Sequence, residues 1–188
     1  VQAVLKKAAA LDIAMICPLH GPVLKENLGH YIDKYNIWSS YGVESEGVFI
    51  AYASVYGNTK KAADMLASKL ADKGVHVTVS DLARDDWAEC LEDAFRYGKL
   101  VLAAPTYNAD VFPAMKEFIN HLTERNYQNR TIGIIENGSW APTAAKVMKG
   151  MFEKSKNITF AENTVTVRSA VNAANEAQIE ALAEELKG

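Results

Sequence analysis

The sequence has little cysteine, no long apolar run and no strong charge of either sign, and each shortage removes a class of function. Its 188 residues include two cysteines, Cys17 and Cys90, which are far apart and form no Cys-x-x-Cys pair. A disulfide framework and a thiol redox motif are both excluded on that count. No apolar stretch approaches the roughly 20 residues that cross a bilayer, and the N-terminus lacks a charged-then-apolar signal, so no membrane is expected as a partner and a cytoplasmic setting is. The formal net charge of -3 supplies no basic field for phosphates along a strand, so nucleic acid is not expected as a partner either. What remains, at 49% hydrophobic and 23% charged residues, is an ordinary folded chain, long enough for one domain with an extension.

From Gly47 onward, short apolar runs alternate with helical patterns, the signature of a parallel sheet covered on both faces. The expected strands are Val48 to Ala53, Val75 to Val79, Leu100 to Ala104, Ile132 to Ile135 and Val165 to Val167. Helical spacing starts at Lys60, with Ala62, Leu66 and Leu70 on one face and Gly74 placed to stop it. Pro113 suits a helix first turn ahead of Met115, Phe118, Ile119 and Leu122. Another helix is expected over Thr143 to Phe152, and Asn175 with Gln178 reads as a capping box for the last one. Pro105 is expected to end the third strand in a long loop.

The first 46 residues do not follow this alternation. They read as a small-residue helix to Leu11, a short strand at Ile13 to Ile16 and a turn over Cys17 to Pro22. The stretch Asn36 to Glu46 is the boundary, giving segments 1–42 and 43–188.

The residues after the first strand, Ser54-Val55-Tyr56-Gly57-Asn58-Thr59, run straight into a helix. Such a turn aims free backbone N–H groups and the positive helix end at one point, which is an anion site. Gly57 lets the backbone close round a phosphate, and Ser54, Asn58 and Thr59 add side-chain donors. The Gly-Lys-Ser/Thr of a triphosphate loop and the three spaced glycines of a dinucleotide fold are both missing. Taken alone, the turn reads equally well as an ordinary helix N-cap.

Ligands of open α/β sheets sit beyond the carboxyl ends of the strands, so the loops Pro105-Thr106-Tyr107-Asn108 and Asn137-Gly138-Ser139-Trp140 should converge on the first. Tyr107 and Trp140 could cover the faces of a planar ring; Thr106, Asn108, Asn137, Gly138 and Ser139 could meet its polar edges. Three consistent loops favour a flavin.

These residues resemble the three FMN loops of flavodoxins, which implies a doubly wound five-stranded parallel sheet of order 2-1-3-4-5. Leu19-His20-Gly21-Pro22, followed by Tyr35 and Trp38, resembles the domain junction of flavodiiron proteins. The resemblance implies that residues 1–42 are the end of a β-lactamase-like diiron domain and 43–188 a flavodoxin-like domain. It implies FMN as cofactor and His20 as an orphan iron ligand, since the family's other ligands come from an earlier His, Glu and Asp cluster. His30, His76 and His121 are scattered and make no such cluster. It further implies electron transfer from a donor such as rubredoxin to a diiron centre that reduces dioxygen to water or nitric oxide to nitrous oxide. That centre would belong to the full-length protein and, in a head-to-tail dimer, to the partner chain. With the diiron domain missing, a monomer or weak dimer is expected, and Tyr107 and Trp140 should lower the second flavin potential. The alternatives are a free-standing flavodoxin carrier, an FMN-dependent quinone reductase, or a doubly wound module that has lost its ligand.

Overall fold

A computed structural model describes residues 1–188 in full, and the chain divides into two compact units, Val1–Glu44 and Ser45–Gly188.

The first unit holds α1 (Gln2–Ala8) and α2 (Leu28–Ser39), neither of which buries a residue. The amide of Gln2 joins them, donating to the Asn36 carbonyl and to Ser39 Oγ. Glu44 accepts from Lys34 and from the Trp38 indole N–H. The strand expected at Ile13 to Ile16 is reduced to one antiparallel bridge between Ile16 and Leu24. A four-residue apolar run needs a partner of matching length to become a strand, and here only one residue pair meets.

The second unit is a sheet with helices on both faces. Its elements are β1 (Ser45–Tyr52), α3 (Asn58–Asp72), β2 (Val77–Asp81), α4 (Trp87–Arg96), β3 (Tyr97–Tyr107) and the two-residue β4 (Asp110–Val111). There follow α5 (Pro113–Glu124), β5 (Arg130–Asn137), α6 (Ala144–Met151), β6 (Ile158–Val167) and α7 (Ala173–Leu186). The parallel strands run β2-β1-β3-β5-β6, which is 2-1-3-4-5 when the β4 hairpin is set aside. The two-residue strand period splits the core in two. Phe49, Ala51, Leu100, Leu102, Ile132 and Ile134 face α4, α5 and α6, packing on Met115, Phe118, Leu122 and Met148. Val48, Ile50, Val101, Ala103 and Ile135 face α3 and α7, packing on Leu66, Leu70, Ile179 and Leu182. Strands buried on both faces need apolar residues at every position, which is why their sequences show no alternation.

Gly74 follows the end of α3, where Val75 N–H returns to the Leu70 carbonyl at 3.0 Å. The third strand does not stop at Pro105. It continues to Tyr107 because β1 ends at Tyr52, opposite Ala103, and beyond that end the β4 hairpin pairs with it, Phe112 N–H donating to the Pro105 carbonyl at 3.1 Å, a bond that does not need the N–H proline lacks. The last capping box lies three residues before the expected one. Asn172 accepts from Ala174 N and Asn175 N, and Asn175 returns a bond from the Asn172 N–H. Asn175 is instead buried, donating from Nδ2 to the Thr166 carbonyl at 2.8 Å, so its amide ties the helix to β6.

Candidate functional site

The carboxyl ends of β1, β3 and β5 carry the loops that build the site. After Tyr52 the chain leaves the sheet, and Gly57 takes φ +86 as the residue before α3. No side chain caps this helix. Its first internal bond runs from Lys61 N–H to the Gly57 carbonyl at 2.9 Å. The N–H groups of Asn58, Thr59 and Lys60 therefore have no acceptor within the helix and lie at its positive end. Ser54 Oγ accepts from Gly57 N–H at 3.1 Å, which holds the turn closed and leaves the hydroxyl hydrogen free to donate. Lys60, one turn further in, is paired with Asp64 at 2.6 Å, so its charge is locally balanced.

The β3 loop is a two-residue hairpin. Asn108 and Ala109 both have positive φ, +51 and +58, and Tyr107 pairs with Asp110 across it. That is the turn whose twist matches antiparallel strands, usually completed by glycine at the second position. Asp110 anchors it, accepting from Lys116 at 2.5 Å and from Val111 N–H at 2.7 Å; these two bonds, the lysine's first, hold its carboxyl below the usual range. Tyr107 rests edge-on against Phe112, at 5.9 Å between ring centres.

The β5 loop is fastened by side chains. Thr106 Oγ1 accepts from Thr143 N–H at 2.9 Å and Ala144 N–H at 3.2 Å, and so caps α6 from the neighbouring strand. Glu136, only 7% exposed, accepts from Ala145 N–H at 2.9 Å and from the Thr166 hydroxyl at 2.9 Å. A buried carboxylate at a helix N-terminus is favoured by the helix dipole and its donors. A Cβ on Gly138 would lie 3.0 Å from Pro142 Cα and 3.1 Å from Thr106 Oγ1, so the loop closes on itself only because that residue is glycine.

These loops enclose a cavity of about 310 Å³, within the range of small-molecule sites. Ser54, Val55, Tyr56, Asn58 and Thr59 line it from the first loop, Pro105, Thr106 and Tyr107 from the second, and Asn137, Gly138 and Ser139 from the third. Gly57, Asn108 and Trp140 do not. Gly57 shapes the turn from behind and Asn108 borders an adjoining hollow with Asp110 and Lys116. Trp140 is 94% exposed and stands clear of the wall, so the indole does not cover a face of the cavity, whereas Tyr107, at 56%, does line it. Ser169, from the β6–α7 connection, lines the cavity too. The sequence carried no signal for it, because a serine after a strand is common in any loop.

His20 is exposed in the first unit, and no three His, Cys, Asp or Glu side chains of the chain come together to hold a metal. The residues present do not make an iron site.

A parallel sheet of this order, with an uncapped helix N-terminus opening into a cavity at its carboxyl edge, defines the flavodoxin-like class. Residues 49–171 match the family model described as flavodoxin domain, and the chain belongs to that family. It is 31% identical over 120 residues to the coenzyme F420H(2) oxidase of Methanothermobacter marburgensis, covering 64% of this chain and 29% of that one. It is 26% identical over 132 residues to the anaerobic nitric oxide reductase flavorubredoxin of Aeromonas hydrophila, covering 69% of this chain and 26% of that one. Rubredoxin oxygen:oxidoreductase from Desulfovibrio gigas shares the fold, with a TM-score of 0.89 at 19% identity over 99% of this chain and 47% of that one. The chain thus spans less than half the length of these relatives.

The donor set fits FMN. Three free helix N–H groups and the Ser54, Asn58 and Thr59 side chains suit one terminal phosphate, while the far wall offers neutral hydroxyl and amide groups and no charge.

Proposed function

We propose that this chain is an FMN-binding electron-transfer domain of a flavodiiron-type oxidoreductase. The observation that carries the reading is the uncapped N-terminus of α3 opening into one end of the cavity whose other walls are the β3 and β5 loops. Bound there, the flavin supplies one- and two-electron chemistry, which lets a one-electron donor serve a multi-electron acceptor. The protein's own part is to bind and orient. The α3 N–H groups with Ser54, Asn58 and Thr59 hold the phosphate, Tyr107 presents an aromatic face, and Gly138 and Ser139 meet the polar edge of the ring, beside Asn137 in the same wall.

In this reading residues 1–42 end a diiron domain, and His20 contributes its imidazole to an iron pair built mainly from residues outside this sequence. The donor is rubredoxin or a similar small redox protein, and the acceptor site reduces dioxygen or nitric oxide. The names of the relatives support this range: one is an F420H(2) oxidase, another a nitric oxide reductase, and the fold neighbour is a rubredoxin oxygen oxidoreductase. The setting is the cytoplasm; no helix is long and apolar enough to cross a membrane.

The test is a titration of flavin-free protein with FMN, FAD and riboflavin, followed by quenching of flavin fluorescence. FMN should bind at least tenfold more tightly than riboflavin, since only FMN engages the α3 N-terminus. Equal affinity for the two would reject the phosphate site.

A further inference from the structure

We infer that Ser169 is a fourth-loop ligand contact, and that Asn137 acts as the positioning residue that holds it in place. This inference rests on the flavin reading above.

Ser169 follows the end of β6 with φ +69, and Ala170 N–H bonds to the Arg168 carbonyl at 3.1 Å. A bond between residues two apart, round a central residue of positive φ, is the strained and rare form of the γ-turn. Serine has a Cβ and is disfavoured in this region, where glycine would fit without strain.

The strain is held by one side chain. Asn137 Nδ2 donates to the Ser169 carbonyl at 3.0 Å, and Asn137 Oδ1 accepts from the Ser169 N–H at 3.1 Å. The β5–β6 pairing ends at Asn137 opposite Val167, with Gly138 N–H still reaching the Val167 carbonyl at 3.0 Å. The amide of Asn137 therefore replaces the next backbone pair of the ladder and satisfies both polar groups of Ser169. It is 7% exposed, while Ser169 itself is exposed. A buried amide is thus committed to fixing a surface serine in a conformation it would not otherwise keep.

What the conformation achieves is the placement of a hydroxyl. Ser169 Oγ lies 2.7 Å from Ser139 Oγ, and both residues line the cavity. One hydrogen lies between the two oxygens, so the pair keeps one O–H to give and lone pairs to receive. It is a neutral donor–acceptor edge, suited to the alternating carbonyl and N–H groups of a flavin's pyrimidine ring. It also stands at the right end. The phosphate turn follows β1 and Ser169 follows β6, three strand positions along, about 14 Å at about 4.8 Å per step. A ligand with phosphate at one end and a hydrogen-bonding ring at the other is read at both.

The experiment measures FMN and riboflavin affinity, and the visible spectrum of bound flavin, for the unaltered protein, Ser169→Ala, Ser169→Gly, Asn137→Asp and the double variant Asn137→Asp/Ser169→Gly. Glycine relaxes the turn while removing the hydroxyl, so it separates loss of the contact from collapse of the loop. Both Ser169 variants should weaken FMN and riboflavin by the same factor, roughly threefold to tenfold, the size of one neutral hydrogen bond. The FMN-to-riboflavin ratio should stay fixed, because the contact is remote from the phosphate. Asn137→Asp should weaken both flavins and shift the spectrum in the parent, and do little more once residue 169 is glycine. Unchanged affinity in both Ser169 variants overturns the contact and leaves the flavin reading intact. A full Asn137→Asp effect in the glycine background overturns the positioning role. Failure of the unaltered protein to bind any flavin overturns the flavin reading and this inference with it.

Discussion

The turn after β1 and the β5 loop face each other across one cavity and are built on opposite plans. In the first, the polar groups are left over: three helix N–H groups without acceptors and no side-chain cap. In the second they are consumed, with Thr106 and Glu136 on the end of α6 and Asn137 on Ser169. An end that must gain strong bonds to a charged group benefits from open donors. An end that must present a fixed edge benefits from donors and acceptors already satisfied by protein, because rigidity lowers the ordering cost of binding.

The contrast can be broken from the locked side first. Glu136→Ala leaves the Ala145 N–H and the Thr166 hydroxyl without their acceptor in a buried place; urea unfolding should show a loss of about 2–3 kcal/mol. Thr106→Val removes one hydroxyl from two part-buried N–H groups at the start of the same helix, with an expected cost of about 1–2 kcal/mol. Flavin affinity should fall in both. On the open side, Ser54→Ala should change unfolding by no more than about 0.5 kcal/mol, yet it should lower FMN affinity and leave riboflavin affinity nearly as it was. A Ser54 variant as unstable as the Thr106 one would erase the distinction.

The smallest effect lies away from the site and serves as a control. Glu180 receives Lys69 and Lys73, and these bonds, Lys69 first, lower its carboxyl from 4.5 to about 2. A depressed acid stabilises the fold above its unfolded value, and that contribution disappears as pH falls through the folded one. Glu180→Gln should therefore flatten the acid limb of stability slightly between pH 4.5 and 2, and flavin binding at neutral pH should not respond. A Glu180 variant that weakened FMN would mean that the site and the α3–α7 surface are coupled.

Legibility differed by element for physical reasons. The strand runs at Val48, Leu100 and Ile132 were readable because a strand buried on both faces needs apolar residues throughout; the first begins three residues earlier and ends at Tyr52, one short of Ala53, while the other two extend by two or three residues at both ends once hydrogen-bonded partners are available. Helix α4 is absent from the expected elements, although Asp86 caps it and accepts from Ala88 N–H. The fifth parallel strand was read only at Val165 to Val167, yet it begins at Ile158. It contains an irregularity in which Ile132 pairs with Phe160 but Ile134 with Thr164. The displaced N–H groups of Glu162 and Asn163 are satisfied by Glu185 on α7, a partner some twenty residues away that no local pattern announces.

Within the site the same division holds. The sequence alone determined the strand–turn–helix at Ser54 to Thr59, because a strand, a glycine and a helix start are consecutive and a helix's unpaired N–H groups are a local property. It also determined the sheet class, through runs whose apolarity does not alternate. Tertiary structure decided which polar side chains stay open to a ligand. Thr106 capping α6, Asn137 holding Ser169, and Trp140 left outside the cavity all depend on how β3, β5 and β6 align at their carboxyl ends. Side chains thirty or more residues apart meet only through that register, and it is set by the packing of the whole sheet.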